Sequence, residues 1–196
     1  MKSNHWLKRQ SKDQYVKKAK NTGFLSRASF KLIEIEKKYR LISKSNNILE
    51  IGSSPGGWSQ VLIEFNPTAK IDAFDIIDMK FNHKNINFIK KNFLNYDFKL
   101  SNKKYDLILS DLAPNTTGNK QLDHLKLSSI LSEIIFNLTL IADKKSNFIF
   151  KILKGIDEKN IISLLKEKYK IVKYFKPKSS RQDSSEIYII AINFNH

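Results

Sequence analysis

Short apolar runs alternate with helical patterns along most of the chain. The runs predict seven strands of five to seven residues, at Asn47–Ile51, Ile71–Asp75, Ile86–Lys90, Asp106–Ser110, Asn147–Lys151, Ile171–Phe175 and Glu186–Ile192. Apolar positions at helical spacing predict four helices, at Arg27–Tyr39, Gly57–Phe65, Leu122–Ala142 and Asp157–Tyr169. This alternation is typical of a mostly parallel sheet with helices on both faces.

The last two predicted strands are separated only by KPKSSRQDSS. A right-handed crossover between parallel strands needs a longer connection, so these two strands are expected to pair as an antiparallel hairpin. The sequence therefore predicts a single-domain, Rossmann-like α/β fold with a seven-stranded sheet whose last strand is antiparallel.

The chain has 196 residues, no Cys and four scattered His. We expect a basic N-terminal extension over residues 1–20, in which Tyr15, Val16 and Ala19 hint at a short helix, and one domain over residues 21–196. The composition excludes disulfides and Cys-based zinc sites and gives a metal site little support. Because the sequence shows neither a signal peptide nor a membrane span, we expect a cytoplasmic protein without a membrane partner.

Thirty-five Lys and Arg against nineteen Asp and Glu leave a net charge of +16. A surplus of this size favours a polyanionic partner such as nucleic acid. Most of the surplus is lysine in a chain crowded with Asn and Ile, so biased composition is an alternative explanation. What matters is where the basic residues gather, and two groups stand out, at Lys17, Lys18 and Lys20 and at Lys176, Lys178 and Arg181.

A glycine-rich turn follows the first strand, in the stretch ILEIGSSPGGWSQ. It lacks the Gly-Lys-Ser/Thr ending of a P-loop and does not match GxGxxG. The second strand ends in Asp75, where an acidic residue typically binds the ribose hydroxyls of an adenosine-containing ligand. Together the turn and Asp75 point to S-adenosylmethionine. A tight structural turn beside a solvated aspartate explains the same residues equally well.

Three charged residues are predicted to meet at the edge of the sheet that carries this turn. Asp111 follows the fourth strand and Lys151 ends the fifth, while Glu186 begins the antiparallel last strand and so lies at the same edge. A lysine at the end of a buried strand can simply extend into solvent. A shared edge for all three residues favours a functional site.

Five segments occur in the order SRASFKL, PGGWSQ, SDLAPN, FIFK and KPKSSRQDSSEIYI. From about Tyr15 to Asn193 the chain resembles the FtsJ/RrmJ family of 23S rRNA uridine 2'-O-methyltransferases. The resemblance implies a class I methyltransferase fold, S-adenosylmethionine as the methyl donor and large-subunit ribosomal RNA as the substrate, with the target uridine in the A-loop. We expect a monomer.

The resemblance also implies roles for particular residues. A catalytic tetrad falls on Lys31, Asp111, Lys151 and Glu186, and contacts to the methyl donor fall on Gly56, Trp58, Asp75 and Asp111. The position near the adenine, which is acidic in the family, is Asn92 in this chain. An Asn carbonyl can still accept a hydrogen bond from the exocyclic amine, so we expect weaker or altered donor binding.

The tetrad suggests a hypothesis for the chemistry. Lys151 accepts the proton of a ribose hydroxyl, with Lys31 beside it disfavouring its charged form. In a weaker version, charged Lys151 orients the hydroxyl and stabilises the developing negative oxygen. We expect NTTGNKQLDH, after Asp111, to be a mobile lid. Two alternatives stay open: a non-catalytic RNA-binding or ribosome-assembly factor with this fold, and the same chemistry on tRNA or an mRNA cap.

Overall fold

The computed structural model describes residues 10–112, 119–155 and 158–195, and its seven strands form one sheet. In chain order the strands are β1 Asn47–Ile51, β2 Lys70–Asp75, β3 Ile86–Lys90, β4 Tyr105–Ser110, β5 Ala142–Leu153, β6 Tyr169–Phe175 and β7 Glu186–Phe194. The helices are α1 Gln14–Asn21, α2 Ala28–Tyr39, α3 Gly57–Phe65, α4 Phe98–Ser101, α5 Lys120–Phe136, α6 Leu138–Ile141 and α7 Glu158–Lys168. Short 3-10 helices cover Ile42–Lys44 and Phe93–Asn95.

The sheet has the order β3-β2-β1-β4-β5-β7-β6. The first five strands are parallel, and β7 runs antiparallel to both of its neighbours. The predicted fold class and the antiparallel pairing of the last two strands are thereby confirmed. Because β7 is reversed, its first residue lies at the edge where β1 to β6 end. We call this the carboxyl edge.

Each face of the sheet packs against a separate apolar cluster. On one face α2 and α3 bury residues such as Leu32, Ile35 and Leu62, and on the other α5 and α7 bury residues such as Leu131 and Leu165. The central strands are apolar toward both faces, as expected for a parallel sheet covered on both sides. Within the described part of the chain, no helix is both long and apolar enough to span a bilayer.

The predicted helix Leu122–Ala142 is wrong at its C-terminal end. Helix α5 ends at Phe136, where the side chain of Asn137 donates to the carbonyl of Glu133 at 3.0 Å, and α6 adds one further turn. Ala142 already belongs to β5, five residues before the predicted start of that strand. Every residue of the run LTLIA except Thr139 is apolar. The pattern of the run therefore could not separate helix from strand.

The segment before α2 forms a short helix that packs on the domain. Asp13 caps α1 through the amide of Tyr15 at 3.0 Å, and its carboxylate also pairs with Arg27 and Arg181. The ring of Tyr15 lies 5.6 Å from that of Phe30 in α2. Helix α1 is therefore attached both to α2 and to the connection that precedes β7.

Candidate active site

The glycine turn after β1 folds back on β2. Gly52 has a φ of 84°, a conformation that favours glycine, and its amide donates to the carbonyl of Phe74 at 2.8 Å. The amide of Ser53 donates to the same carbonyl at 3.1 Å. These bonds fix the start of the turn against the carboxyl end of the neighbouring strand.

The second half of the turn packs against protein. Gly56 has a φ of 110°, and a Cβ there would lie 2.6 Å from Cβ of Phe81, while a Cβ on Gly57 would clash with the hydroxyl of Ser26. Trp58 is 3% exposed, and its indole nitrogen donates to the carbonyl of Ala28 at 2.9 Å. Close packing against neighbouring segments thus explains why these two glycines carry no side chain.

A cavity of about 400 Å³ opens beyond the carboxyl ends of β1 to β4. Its polar wall includes Ser54, Asp75, Asn92 and Asp111, and its apolar wall includes Ile76, Ile77, Phe93, Leu94, Leu112 and Ile130. The volume is in the range of pockets for small molecules and cofactors. The cavity brings together three of the residues predicted to contact the methyl donor, Asp75, Asn92 and Asp111, whereas Gly56 and Trp58 do not line it.

Asp75 is fixed by two backbone amides. One carboxylate oxygen accepts from Ser54 at 2.8 Å and the other from Ile77 at 2.9 Å. Each carboxylate oxygen can accept a second hydrogen bond. Asp75 can therefore receive two hydroxyl groups from a ligand in the cavity without losing its own supports.

The side-chain carbonyl of Asn92 is engaged by the protein. Its Oδ1 accepts from the amide of Leu94 at 3.1 Å and so caps the 3-10 helix Phe93–Asn95. This bond fixes the orientation of the side-chain amide and turns Nδ2 away from Leu94. The capped amide therefore offers a hydrogen-bond donor, Nδ2, on the side away from the 3-10 helix.

The four predicted tetrad residues form two ion pairs at the carboxyl edge. Lys31 Nζ lies 2.7 Å from Glu186, and Lys151 Nζ lies 3.1 Å from Oδ1 of Asp111. Lys151 also donates to the backbone carbonyl of Asp111 at 2.9 Å. Lys31 and Lys151 are both buried. Pattern reasoning placed Asp111, Lys151 and Glu186 at one edge, the resemblance added Lys31, and α2 brings Lys31 to that edge.

Tyr188 connects the two pairs and was not predicted. Its hydroxyl donates to Oδ1 of Asp111 at 2.7 Å, and Lys31 Nζ lies 5.8 Å from the centre of its ring. Burial raises the pKa of the Tyr188 phenol well above its ordinary value, and nearby Asp111 and Glu186 raise it further. The phenol is therefore a permanent hydrogen-bond donor at neutral pH. A tyrosine two residues after Glu186, on the same face of a strand, was the available signal.

Asp111 is held in its charged form. Burial by itself raises the pKa of this carboxyl, but Lys151 and Lys31 lower it, as does the bond from Tyr188, and the net result is a pKa below the ordinary value. A buried carboxylate with this support can orient Lys151 across the neutral pH range.

A second buried carboxyl lies under the glycine turn. Glu50 is 1% exposed, and the hydroxyl of Ser59 in α3 donates to it at 2.5 Å. Burial raises the pKa of Glu50 to about 8, and the charges of Asp111 and Asp75 contribute to the same direction. Sequence analysis missed this residue, although a charge inside the apolar run ILEIG was a visible signal.

The connection before β7 is also supported by side chains that were not predicted. The hydroxyl of Ser180 donates to Glu186 at 3.0 Å. Glu34 in α2 accepts from the amides of Lys178 at 2.6 Å and Ser179 at 2.9 Å. Helix α2 therefore supplies the tetrad residue Lys31. Through Glu34 it also supports the segment that positions Glu186, the partner of Lys31.

Two further predictions concern lids and metals. Four of the ten residues of the predicted lid, 115–118, lie outside the described residues, whereas Asn119 caps α5 and residues 120–124 begin that helix. In the part of the chain that the structure describes, no group of three or more His, Cys, Asp or Glu side chains is arranged to hold a metal ion.

Comparison with known proteins identifies the family. Residues 24–194 match the FtsJ-like methyltransferase family. The chain belongs to this family. Ribosomal RNA large subunit methyltransferase E of Ehrlichia chaffeensis is 42% identical over 202 residues, which cover 99% of this chain and 94% of the relative. The protein of the same name from Rickettsia africae is 37% identical over 203 residues, with 97% and 88% covered. The resemblance found in the sequence is confirmed.

Solved structures agree with this assignment. A crystal structure described as a ribosomal RNA methyltransferase from Plasmodium falciparum superimposes with a TM-score of 0.73 at 34% identity, covering 87% of this chain and 98% of that chain. Human methyltransferase-like protein 13 in complex with SAH matches with a TM-score of 0.55 at 14% identity, covering 77% of this chain and 73% of that chain. This likeness shows a shared fold. The FtsJ-like protein is therefore a methyltransferase with the class I fold.

Proposed function

We propose that this FtsJ-like protein methylates the ribose 2'-hydroxyl of a uridine in large-subunit ribosomal RNA, in the A-loop, with S-adenosylmethionine as the donor. The observation that carries the proposal is the double position of Asp111, which lines the cavity and also binds Lys151. A donor in the cavity and a hydroxyl beside Lys151 would thus meet at one residue. The names of the relatives support ribosomal RNA as the substrate.

The cavity residues fit the parts of the proposed donor. S-adenosylmethionine would supply a methyl group on a sulfonium, and in-line attack of an oxygen on the methyl carbon would form the O–C bond as the C–S bond breaks and a neutral thioether leaves. Asp75 would accept from the ribose hydroxyls, as its two free lone-pair positions allow. Phe93 and Leu94 offer an apolar wall for the adenine, and Asn92 a polar contact beside it.

The methionine part would lie toward the start of α3. The first amides of a helix have no partner within it, and at the start of α3 these belong to Gly57 and Trp58, directly after Gly56. A carboxylate is favoured at such a position. In this proposal the methionine part extends beyond the cavity wall, so that Gly56 and Trp58, which do not line the cavity, bind it through the backbone of the turn.

Lys151 is proposed to take the proton of the 2'-hydroxyl. Asp111 accepts from Lys151 through its carbonyl and its carboxylate, which accounts for two N–H groups of the amine. On a neutral amine the remaining position at Nζ is a lone pair, and this lone pair would receive the hydroxyl proton. Lys31, paired with Glu186, lies at the same edge of the sheet as the second lysine of the tetrad.

Substitutions of Lys151 test this assignment. Lys151→Ala should abolish methyl transfer while S-adenosylmethionine binding, measured by calorimetry, remains close to wild type. Lys151→Arg keeps a positive charge but cannot accept a proton, so it should be as inactive as Lys151→Ala. Substantial turnover by Lys151→Arg would instead favour the version in which the charge stabilises the developing oxygen anion.

The substrate needs a separate experiment. Purified protein is incubated with donor labelled in the methyl group and, in separate reactions, with large ribosomal subunits, naked ribosomal RNA or tRNA, and the RNA is then digested to nucleosides. The expected product is label on the ribose of uridine. Label on a base would overturn the proposed reaction, and label in tRNA but not in ribosomal RNA would overturn the substrate.

A further inference from the structure

A second pocket lies at the carboxyl edge, outside the cavity and the tetrad. It has a volume of about 410 Å³ and lies between α1, α2 and the end of β6, lined by Tyr15, Glu34, Lys37, Lys38, Phe175 and Lys178. We call it the α1–α2 pocket. It combines two aromatic rings with three ammonium groups and one carboxylate.

The sheet register places this pocket beside the tetrad. Tyr188 of β7 pairs with Lys151 of β5 on one side and with Phe175 of β6 on the other. Paired residues in a sheet point to the same face, so the three side chains emerge in one row. Two strand spacings separate Phe175 from Lys151, or roughly 10 Å between their backbones. This is a distance that a nucleotide next to the acceptor can span.

The chemistry of the α1–α2 pocket suits a nucleotide. The ammonium of Lys38 lies 5.0 Å from the centre of the Phe175 ring, and Lys37 and Lys178 are exposed. The ring of Tyr15 is only partly buried by Phe30. Aromatic faces bind unpaired bases by stacking, and lysines neutralise phosphates, which together is the usual way in which proteins bind single-stranded RNA.

Hydrogen bonds connect the wall of the pocket to the active site. Glu34 accepts hydrogen bonds from the amides of Lys178 and Ser179, so its negative charge is supported within the protein. The adjacent Ser180 donates to Glu186, the partner of Lys31. Residues 176–181 therefore connect the pocket to the tetrad, and a ligand in one is positioned relative to the other.

We propose that the α1–α2 pocket binds the nucleotide that neighbours the acceptor in the RNA chain. Its base stacks on Tyr15 and Phe175, and the two phosphates that flank it in the chain are neutralised by Lys37, Lys38 and Lys178. The identity of the RNA as ribosomal rests on the proposed function. The pocket itself requires only a single-stranded segment of RNA.

The phosphate contacts are tested by equilibrium binding without methyl donor. The probe is a transcript of the domain of large-subunit RNA that contains the A-loop. Lys37→Ala/Lys38→Ala should weaken binding at least fivefold and lower the slope of log K against log salt by about 1.4, which is about 0.7 for each single-strand phosphate contact. The control Lys70→Ala/Lys84→Ala removes the same charge at the opposite edge of the sheet and should change both values little.

Stacking is tested with Tyr15→Leu, which keeps an apolar contact with Phe30 and removes the phenol ring. It should weaken RNA binding at least fivefold, whereas Tyr174→Leu, a change of the half-exposed neighbour of Phe175, should not. In methyl transfer the pocket variants should raise KM for RNA at least fivefold with kcat within twofold of wild type. Donor affinity should be unchanged.

Two results would overturn the proposal. Equal loss of affinity in the Lys37/Lys38 and Lys70/Lys84 variants would show that overall charge, and not this pocket, binds the RNA. Wild-type affinity in both the lysine and the Tyr15 variants would exclude RNA from the pocket and leave it to another class of partner. Failure of wild-type protein to methylate ribosomal RNA would count against the proposed function alone, because the binding measurements involve no transfer.

Discussion

The hydroxyl of Tyr188 donates to Oδ1 of Asp111 at 2.7 Å across the intervening strand β5. The same carboxylate oxygen lies 3.1 Å from Lys151 Nζ, so one oxygen receives a neutral and a charged donor. The ammonium of Lys31 also lies over the ring of Tyr188. A single tyrosine thereby couples the geometry of both ion pairs to the position of the carboxylate in the cavity wall.

Tyr188→Phe should weaken both stability and turnover while keeping the ring. Loss of a hydrogen bond to a buried carboxylate is expected to lower the free energy of unfolding by about 1.5–3 kcal/mol, and kcat should fall about tenfold because Asp111 orients Lys151 less well. Urea denaturation and single-turnover methyl transfer measure the two effects. The matched control is Tyr169→Phe, since the buried hydroxyl of Tyr169 has no partner within the described residues.

The stability effect of Tyr188→Phe should depend on pH. The pKa of Asp111 is lowered in the folded protein, so its charged form adds stability above the unfolded pKa, and this contribution is lost as pH falls through the folded pKa. The bond from Tyr188 contributes to the lowering. The difference between wild type and Tyr188→Phe should therefore be largest at neutral pH and shrink in acid. A difference that grows in acid would contradict a charged Asp111.

Glu50 should give the opposite pH dependence. Its pKa is raised from 4.5 to about 8 by burial, so the folded protein holds a proton that the unfolded chain releases. The stability that this proton contributes is fully present below pH 4.5, and it falls by about 1.4 kcal/mol for each pH unit as pH rises toward about 8.

Glu50→Gln tests this dependence because glutamine is neutral at every pH. The variant should gain stability relative to wild type as pH rises through neutrality, and its free energy of unfolding should depend less on pH over the same range. Urea denaturation at several pH values between 5 and about 8 provides the comparison. Parallel profiles for the two proteins would mean that Glu50 is already ionised in the folded state.

Much of this architecture was predictable because buried parallel strands have a simple pattern. All seven strands and the antiparallel end were evident from apolar runs and connection lengths, and the edge shared by Asp111, Lys151 and Glu186 followed from topology. Lys31 came from family resemblance, since a lysine on an amphipathic helix is usually a surface residue. The position of Tyr188, two residues after Glu186, was visible in the sequence, but its role could not be assigned because it depends on a contact across β5.

The turn shows the limit of such reasoning most clearly. The resemblance placed Gly56 among the contacts of the methyl donor, but the space beside Gly56 is occupied by Phe81 and that beside Gly57 by Ser26. A sequence shows that a side chain is absent from a position. It does not show which neighbour makes that absence necessary, because those neighbours come from distant parts of the chain.

Gly56→Ala should therefore destabilise the fold through a contact with protein. The comparison is Gly23→Ala, because Gly23 also has a positive φ, 78°, but a Cβ added there would meet no atom within 4 Å. Both variants should lose about 1–2 kcal/mol from the backbone conformation, and Gly56→Ala should lose about 1–3 kcal/mol more from overpacking against Phe81. Equal losses in thermal denaturation would show that Phe81 moves aside without cost.

Asn92→Asp should change donor binding without changing the fold. Aspartate caps a helix as well as asparagine, so the bond to the amide of Leu94 is retained, and stability should stay within about 0.5 kcal/mol. The change replaces Nδ2, a donor, by an oxygen that accepts. An adenine amine beside this atom would then gain a partner, and S-adenosylmethionine should bind about tenfold more tightly by calorimetry, or about 1.4 kcal/mol.

Asn95→Asp is the matched control for the added charge, because Asn95 is exposed at the other end of the same 3-10 helix. It should leave donor affinity unchanged. A loss of affinity in Asn92→Asp would carry a different meaning: the wild-type Nδ2 would be donating to a ring nitrogen of the adenine, and the carboxylate would repel that acceptor. The sign of the change thus decides which edge of the adenine Asn92 faces.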